Sequence, residues 1–451
     1  NINGANYAPV TGADLPLTDE TLQHTMHGLS LKSHTQGTWD WELSASLYDY
    51  GRDLKRQNAA SNTPPAADSG GAGTIADGSG TGWNTLAARG IWRPDGTRGA
   101  HIVEFGAQQE AYRLHYVTSS IAGDWRNDGP GALASNVAGN TRLQSLWGQD
   151  AWRFAPLWKA VLGLRGERWT ASNGRTEIPA AGVDTQWASR TAYDVSPKAA
   201  VSWQWRPATL LKASLGRAVR YPTVSELYGA TSTTNAQFIN DPNLLPERSW
   251  TGELTAEQDL GDGLLRLTYF AEQTRDALYS QTLFDPVANV NVTRVQNVGR
   301  IATQGLELAY SGEDVWLRGL DLSGGITYAH SIIQENAGFV SVPGDTIGKR
   351  QPNIPEWRLN ALAAYRWTAR WSTSIGARYS SPQYRTLDNS DVNGFTYMGV
   401  SRFFVVDLRA QWKATEHLTA ALGIDNVNNA KYWNFHPYPQ RSFVAELKAD
   451  F

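Results

Sequence analysis

The chain closes on RSFVAELKADF, residues 441–451. Every second residue from Phe443 onward (Phe443, Ala445, Leu447, Ala449, Phe451) is apolar. Between them Ser442, Glu446, Lys448 and Asp450 are polar, and Val444 alone departs. A period of two marks a strand with one apolar and one polar face. Chain termini ordinarily fray and relax such patterning. A strand kept two-faced to its last residue therefore has an apolar surrounding to satisfy.

The same alternation recurs upstream. Residues 357–367 place Trp357, Leu359, Ala361, Ala363, Tyr365 and Trp367 on one face, with Arg358, Asn360 and Arg366 opposite. Residues 402–412 set Phe404, Val406, Leu408, Ala410 and Trp412 against Asp407, Arg409 and Gln411. Residues 264–272 and 158–167 repeat the pattern. The apolar faces carry aromatics mostly at their ends. That suits a lipid-facing surface with Trp and Tyr at headgroup level better than a buried sandwich face. The charged opposite faces suit a wet lumen better than a packed core.

Composition agrees. The chain has 19 Trp and 18 Tyr, and its 40 Lys+Arg nearly balance 43 Asp+Glu, which gives no nucleic-acid footprint. Cysteine is absent, so disulfide frameworks and thiolate metal sites are excluded. No apolar run approaches the ~18 residues of a membrane helix, a test that barrel strands escape. The start, NINGANYAPV, reads as loop and not as a signal peptide.

About 17 strands are expected, near residues 21–34, 38–50, 83–93, 100–113, 141–154, 157–170, 194–205, 209–219, 248–259, 263–275, 302–311, 319–330, 355–367, 371–380, 402–412, 417–426 and 441–451. Short connections (206–208, 261–263, 368–370, 413–416) alternate with long polar ones (51–82, 171–193, 220–247, 279–301, 331–354, 381–401). This is the layout of an all-β, transmembrane antiparallel β-barrel in an outer membrane, with the long loops extracellular. Strand parity places residues 1–20 in an extracellular loop and leaves an odd number of strands unaccounted for.

Six stretches in order resemble the TonB-dependent outer-membrane receptor family. They are LWGQDAWRFAPLWKAVLGLRGERW (146–169), GRAVRYPTVSELYG (216–229), DPNLLPERSWTGEL (241–254), NVGRIATQGLELAY (297–310), GIDNVNNAKYW (423–433) and the closing strand. Asp241, Val427 and Gln440 depart from the family's usual Asn, Leu and Gly. The resemblance implies a barrel of about 22 strands around an N-terminal plug. Strand 21–34 would then be the sixth, so residues 1–451 would be the C-terminal part of the barrel, without five strands or the plug. It further implies import of a scarce nutrient, most naturally a ferric siderophore or other metal chelate, energised by TonB through the N-terminal part. Vitamin B12, a free metal or a glycan are alternative cargoes, and a passive porin-like channel is an alternative class. Other implied partners are outer-membrane lipid and the barrel assembly machinery, which would read Phe443, Leu447 and Phe451.

No enzymatic constellation is present: G-x-S-x-G, Walker A, H-E-x-x-H and G-x-G-x-x-G are all lacking. No cofactor or resident metal is expected. The eight His lack ligand spacing, and two Met do not make a methionine-lined copper path. The glycine-rich stretch 68–82 reads as a mobile extracellular loop. For ligand binding, the segment 429–441 offers Trp433, Phe435, His436 and Tyr438, beside Arg220, Tyr221, Tyr384, Arg385 and Tyr397. Aromatics with arginine suit a planar, anionic chelate. The alternative is a girdle and loop packing.

Overall fold

A computed structural model describes residues 17–229, 236–285, 290–337 and 345–450. Of the 20 strands in its main sheet, three are short additions: Gly73–Asp77, Val183–Trp187 and Ala236–Ile239. The other 17 form one meander, each antiparallel to the next, from Thr18–Lys32 to Ser442–Ala449. The fold is an antiparallel β-barrel wall. Its two marginal strands each have one partner among the described residues. No helix among the described residues is long and apolar enough to cross a membrane.

The ladder converts sequence parity into two surfaces. In register across six strands lie Leu43, Ala88, Ala107, Leu146, Gly166 and Val195. These face outward; Leu146 is 69% exposed and Leu447 71%. The opposite face carries cross-strand ion pairs, including Arg89–Glu104 (2.9 Å), Lys212–Glu257 (2.8 Å) and Arg378–Asp407 (3.0 Å). Half-exposed pairs of this kind need water nearby, because burying them dry costs more than their attraction returns. The outward face is therefore the lipid face and the inward one a polar lumen.

Aromatic rings collect at the short-turn ends. Trp39 stacks on Trp92 (5.9 Å), Trp158 on Trp203 (5.1 Å) and Trp371 on Trp412 (5.6 Å). At the long-loop ends Tyr328 meets Trp357 at 4.8 Å. Two girdles with aliphatics between them are what a bilayer selects.

The inner strand ends agree with expectation to within a few residues, and the outer ends run longer in the strands up to residue 335 but not in the last five. The strand expected near 263–275 spans Gly263–Asp285, and that expected near 302–311 begins at Val290. Strand Thr18–Lys32 begins earlier than 21, which shortens the loop read at 1–20; residues 1–16 and Phe451 lie outside the described residues. The stretch 68–82 is not an irregular loop. Gly73–Asp77 pairs with both Leu54–Asn58 and Val117–Ile121. Its small residues hide it from any periodicity test. They are required nonetheless: a Cβ on Gly73 would lie 2.4 Å from the Gln57 carbonyl oxygen and the Trp125 side chain.

Leu447 sits opposite Ala420 on the outward face and Glu446 opposite Ala421 on the inward one. Leu447 lies in the cross-strand row of the girdle residues Trp412 and Trp371, where an arginine on a barrel's lipid face costs up to about 1 kcal/mol, against about 2–4 at the midplane. Leu447→Arg is expected to cut the yield of heat-modifiable folded barrel severalfold, while Glu446→Arg leaves it near wild type. Equal folded yields on gels would refute the assignment of faces.

Candidate functional site

A membrane-crossing strand needs about 9–11 residues. Strands Leu133–Ala155, Gly263–Asp285 and Val290–Gly312 each have 23. Their excess projects past the membrane on the long-loop side. By contrast Trp357–Arg366 and Trp371–Ser380 have 10 residues each, and Leu418–Asp425 has 8. The extracellular wall is thus tall over residues 39–58, 101–178 and 263–312 and low over 357–425.

Inside the tall wall lies a cavity of about 700 Å³, lined by rings from strands far apart in sequence. Trp83 stacks on Tyr48 at 4.2 Å, and Tyr112 lies 6.3 Å from Trp83. His24 stacks on Tyr50 at 3.9 Å, held by Tyr48 Oη (3.1 Å) and Asp53 Oδ2 (3.0 Å). Across the cavity Tyr221 stacks on the buried Trp169 at 5.7 Å. Glu110 adds a carboxylate to the lining. Of this group only Tyr221 was singled out from sequence. The missed signal is parity: Tyr48 and Tyr50 share the inward, polar face with Ser44 and Ser46, where a lipid girdle has no use for rings.

Tyr221 is placed by a short helix, Val224–Tyr228, where no helix was expected. The signal was present as Thr223-x-x-Glu226. Thr223 Oγ1 accepts from the Glu226 amide (3.2 Å), and Glu226 Oε2 accepts from the Thr223 amide (2.8 Å). This reciprocal cap offsets the cost of nucleating so short a helix. Tyr228 anchors it at 1% exposure. Its ring presses on Gly139 and Gly174, where a Cβ would come within 2.3 Å. Arg220 is engaged by Glu226 at 2.5 Å.

Below the helix the wall splits. Strand Arg190–Arg206 and strand Thr209–Arg220 stop pairing at Lys198↔Gly216, next to Pro197, which has no N–H to give. The buried Asp194 bridges the gap. It accepts two bonds from Arg248 (Nε 2.9 Å, Nη2 3.0 Å) and one from Arg217 (2.7 Å), with Tyr221 Oη at 3.5 Å. Charge-assisted, bidentate bonds substitute here for a ladder that ends.

The other predicted residues gather on the low wall. The loops 381–402 and 426–441 exchange backbone bonds, Met398 N to Phe435 O (2.7 Å) and Phe435 N to Gly399 O (2.9 Å). Both Met398 and Phe435 have positive φ (66° and 64°), a costly conformation for bulky residues that these bonds hold in place. Tyr397 meets Trp433 edge-on at 5.2 Å and His436 at 5.9 Å. The Arg385 guanidinium lies 4.4 Å over Phe435. Burial pulls Arg385 below the ordinary arginine pKa, and Asp391 opposes the shift. Tyr438 stacks on Tyr432 at 4.9 Å, and the Tyr384 carbonyl accepts from Asn353 N (2.7 Å). Trp433 is only 2% exposed, so its indole packs the loop, whereas Tyr397, Phe435 and Tyr438 remain open to solvent. No ring contact or hydrogen bond joins this group to Tyr221 among the described residues. None of those residues forms a group of three or more His, Asp or Glu placed to hold a metal ion.

Residues 2–427 match the family model for "TonB dependent receptor-like, beta-barrel". The chain is 23% identical over 287 residues to the metal-pseudopaline receptor CntO of Pseudomonas aeruginosa, spanning 63% of this chain and 36% of that protein. Among solved structures it resembles the copper transporter OprC, with TM-score 0.71, 15% identity, and 96% of this chain and 66% of that one covered. It also resembles the ferric-catecholate import receptor Fiu of Escherichia coli K12, with TM-score 0.69, 16% identity, and 98% and 65% covered. The chain therefore spans about two thirds of the length of these structures and about a third of the curated relative.

Trp433→Ala removes the loop's packed centre, a change that typically costs about 3–5 kcal/mol in a core. Limited proteolysis should then cleave within 427–441 at least tenfold faster while the barrel strands stay protected. Unchanged cleavage would show that the two loops do not depend on this contact.

Proposed function

The chain belongs to the TonB-dependent receptor β-barrel family, and on that premise we propose that the whole protein imports a scarce nutrient, captured as a metal chelate. It is an outer-membrane protein, and its family and fold are those of transport receptors, not enzymes. TonB, engaged through the N-terminal part of the whole protein, supplies the energy. The ligand class is a ferric siderophore or a similar metallophore complex.

The observation that carries this proposal is the ring-lined cavity on the inward, extracellular side of the wall. Its volume of about 700 Å³ is in the range of small-molecule sites, generally about 300–1,000 Å³. Faces of Tyr50, Trp83, Tyr112 and Tyr221 suit a ligand with planar groups, through stacking. Their hydroxyls and the indole N–H offer hydrogen bonds to its polar rim. The exposed rings of Tyr397, Phe435 and Tyr438, with Arg385 among them, would form a first contact on the low wall for an anionic chelate. The proteins it resembles include receptors named for metal–pseudopaline and ferric catecholate. Metal held by a chelator, and not by protein ligands, fits a site built of rings.

The full-length receptor is to be titrated with a panel of ferric siderophores and other metallophore complexes, free metal ions, vitamin B12 and glycans. A chelate is expected to bind at micromolar concentration or better. Trp83→Ala and Tyr221→Ala should each weaken it about tenfold, the scale of one aromatic contact. Binding of free metal, vitamin B12 or a glycan alone would replace the proposed cargo. Conductance of the full-length protein in planar bilayers, with no ligand bound, would replace the class.

A further inference from the structure

The outward face has a chemistry that import does not use. On it lies a second cavity, of about 1020 Å³, whose lining includes Leu29, Leu43, Leu86, Leu146 and Val195. Its floor contains Gly166, where an added Cβ meets nothing within 4 Å. Toward the long loops the aliphatic lining stops abruptly. The next cross-strand row reads Leu86, Gln109, Gln144, Arg168 and Tyr193 in direct register. The row beyond contains Ala111, Arg142 and Thr170.

These polar groups are coupled to one another. Gln144 Nε2 donates to Gln109 Oε1 (3.0 Å), and Arg168 Nη1 donates to Gln144 Oε1 (3.3 Å). Arg142 is exposed and has no hydrogen-bond or ion-pair partner among the described residues. Arg113, one strand away, donates to the Gly80 carbonyl and lies 3.7 Å from Asp49, the carboxylate closest to it. Three arginines thus meet one acid on this outward patch.

Height decides what they face. Arg168 is ten residues along its strand from Trp158 of the short-turn girdle. At ~3.3 Å per residue and a tilt near 40°, that is about 25 Å, the height of the apolar band. The arginines therefore stand at the outer boundary of the hydrocarbon, where an unpaired guanidinium is best satisfied by an anion. The cavity directly beneath offers aliphatic lining to the chains attached to that anion.

We propose that this patch is a binding site for a phosphorylated lipid of the outer leaflet. Arg142 and Arg168 take the phosphate, Gln144 orients Arg168, and the groove over Gly166 takes an acyl chain. The two halves make the commitment to lipid over free phosphate. A guanidinium pair alone would serve either, but the aliphatic groove serves only the lipid.

The test is native mass spectrometry of the full-length protein in detergent, titrated with diphosphoryl lipid A, dephosphorylated lipid A or inorganic phosphate. Diphosphoryl lipid A is expected to be retained, with the dephosphorylated form at least about tenfold weaker, the scale of a lost charge-assisted contact. The exposed double variant Arg142→Gln/Arg168→Gln should lose a similar factor. Gly166→Trp, which fills the groove with both arginines intact, should do the same. Heat-modifiability on gels verifies that each variant is folded. Wild-type affinity in either variant, equal binding of the dephosphorylated lipid, or displacement of the lipid by equimolar phosphate would each overturn the site.

Discussion

Each amide of a membrane-crossing strand has to donate to a neighbouring strand, because hydrocarbon offers no other acceptor. That constraint produces the antiparallel meander, and the meander in turn produces the two faces. Side chains that alternate along one strand are brought into rows across many, so a single parity error would be repeated across the wall. The outward rows are aliphatic because they meet lipid. The inward rows pair charges such as Arg89–Glu104 and Lys212–Glu257 because water remains available to them.

Toward the long loops the constraint relaxes, and the ring-lined cavity lies there. The ladder between strands Arg190–Arg206 and Thr209–Arg220 ends beside Pro197, and Asp194 with Arg217 and Arg248 closes the opening. The break lets the chain leave the wall, form the helix Val224–Tyr228 and bring Tyr221 against Trp169. Gly139 and Gly174 supply the room in which Tyr228 locks that helix. The low wall solves its packing differently, with Trp433 buried beneath two loops whose positive-φ residues are held by paired backbone bonds.

One sheet thus presents different chemistry at each level. Girdle rings mark the short-turn boundary, aliphatics fill the band, and arginines with glutamines take over at the outer boundary. Inward and at that same outer level, rings reappear around a cavity. Tryptophan and tyrosine therefore serve two ends in this chain. At the girdles they stand between lipid and water, and in the lumen they wall a ligand-sized space.

The sequence by itself determined the fold class, the 17 strands of the meander and, in the clearly alternating stretches, the face that each residue takes. It could do so because hydrocarbon imposes the same local rule on every strand, and a period of two is visible in ten residues. The rule lapses outside the membrane, and there legibility fell. The strands up to residue 335 ran on past their expected outer ends, Gly73–Asp77 paired without any hydrophobic pattern, and Thr223-x-x-Glu226 capped a helix. Only the tertiary structure decided which rings meet. The sequence offers Tyr221, Tyr397 and Phe435 alike as candidate ligand contacts, and the fold puts Tyr221 against Trp169 and the cavity holding Tyr50, Trp83 and Tyr112. Those neighbours come from strands up to 171 positions away (Tyr50 to Tyr221) and are set by ladder register and by the curvature of the sheet, properties of the paired chain that no local stretch encodes.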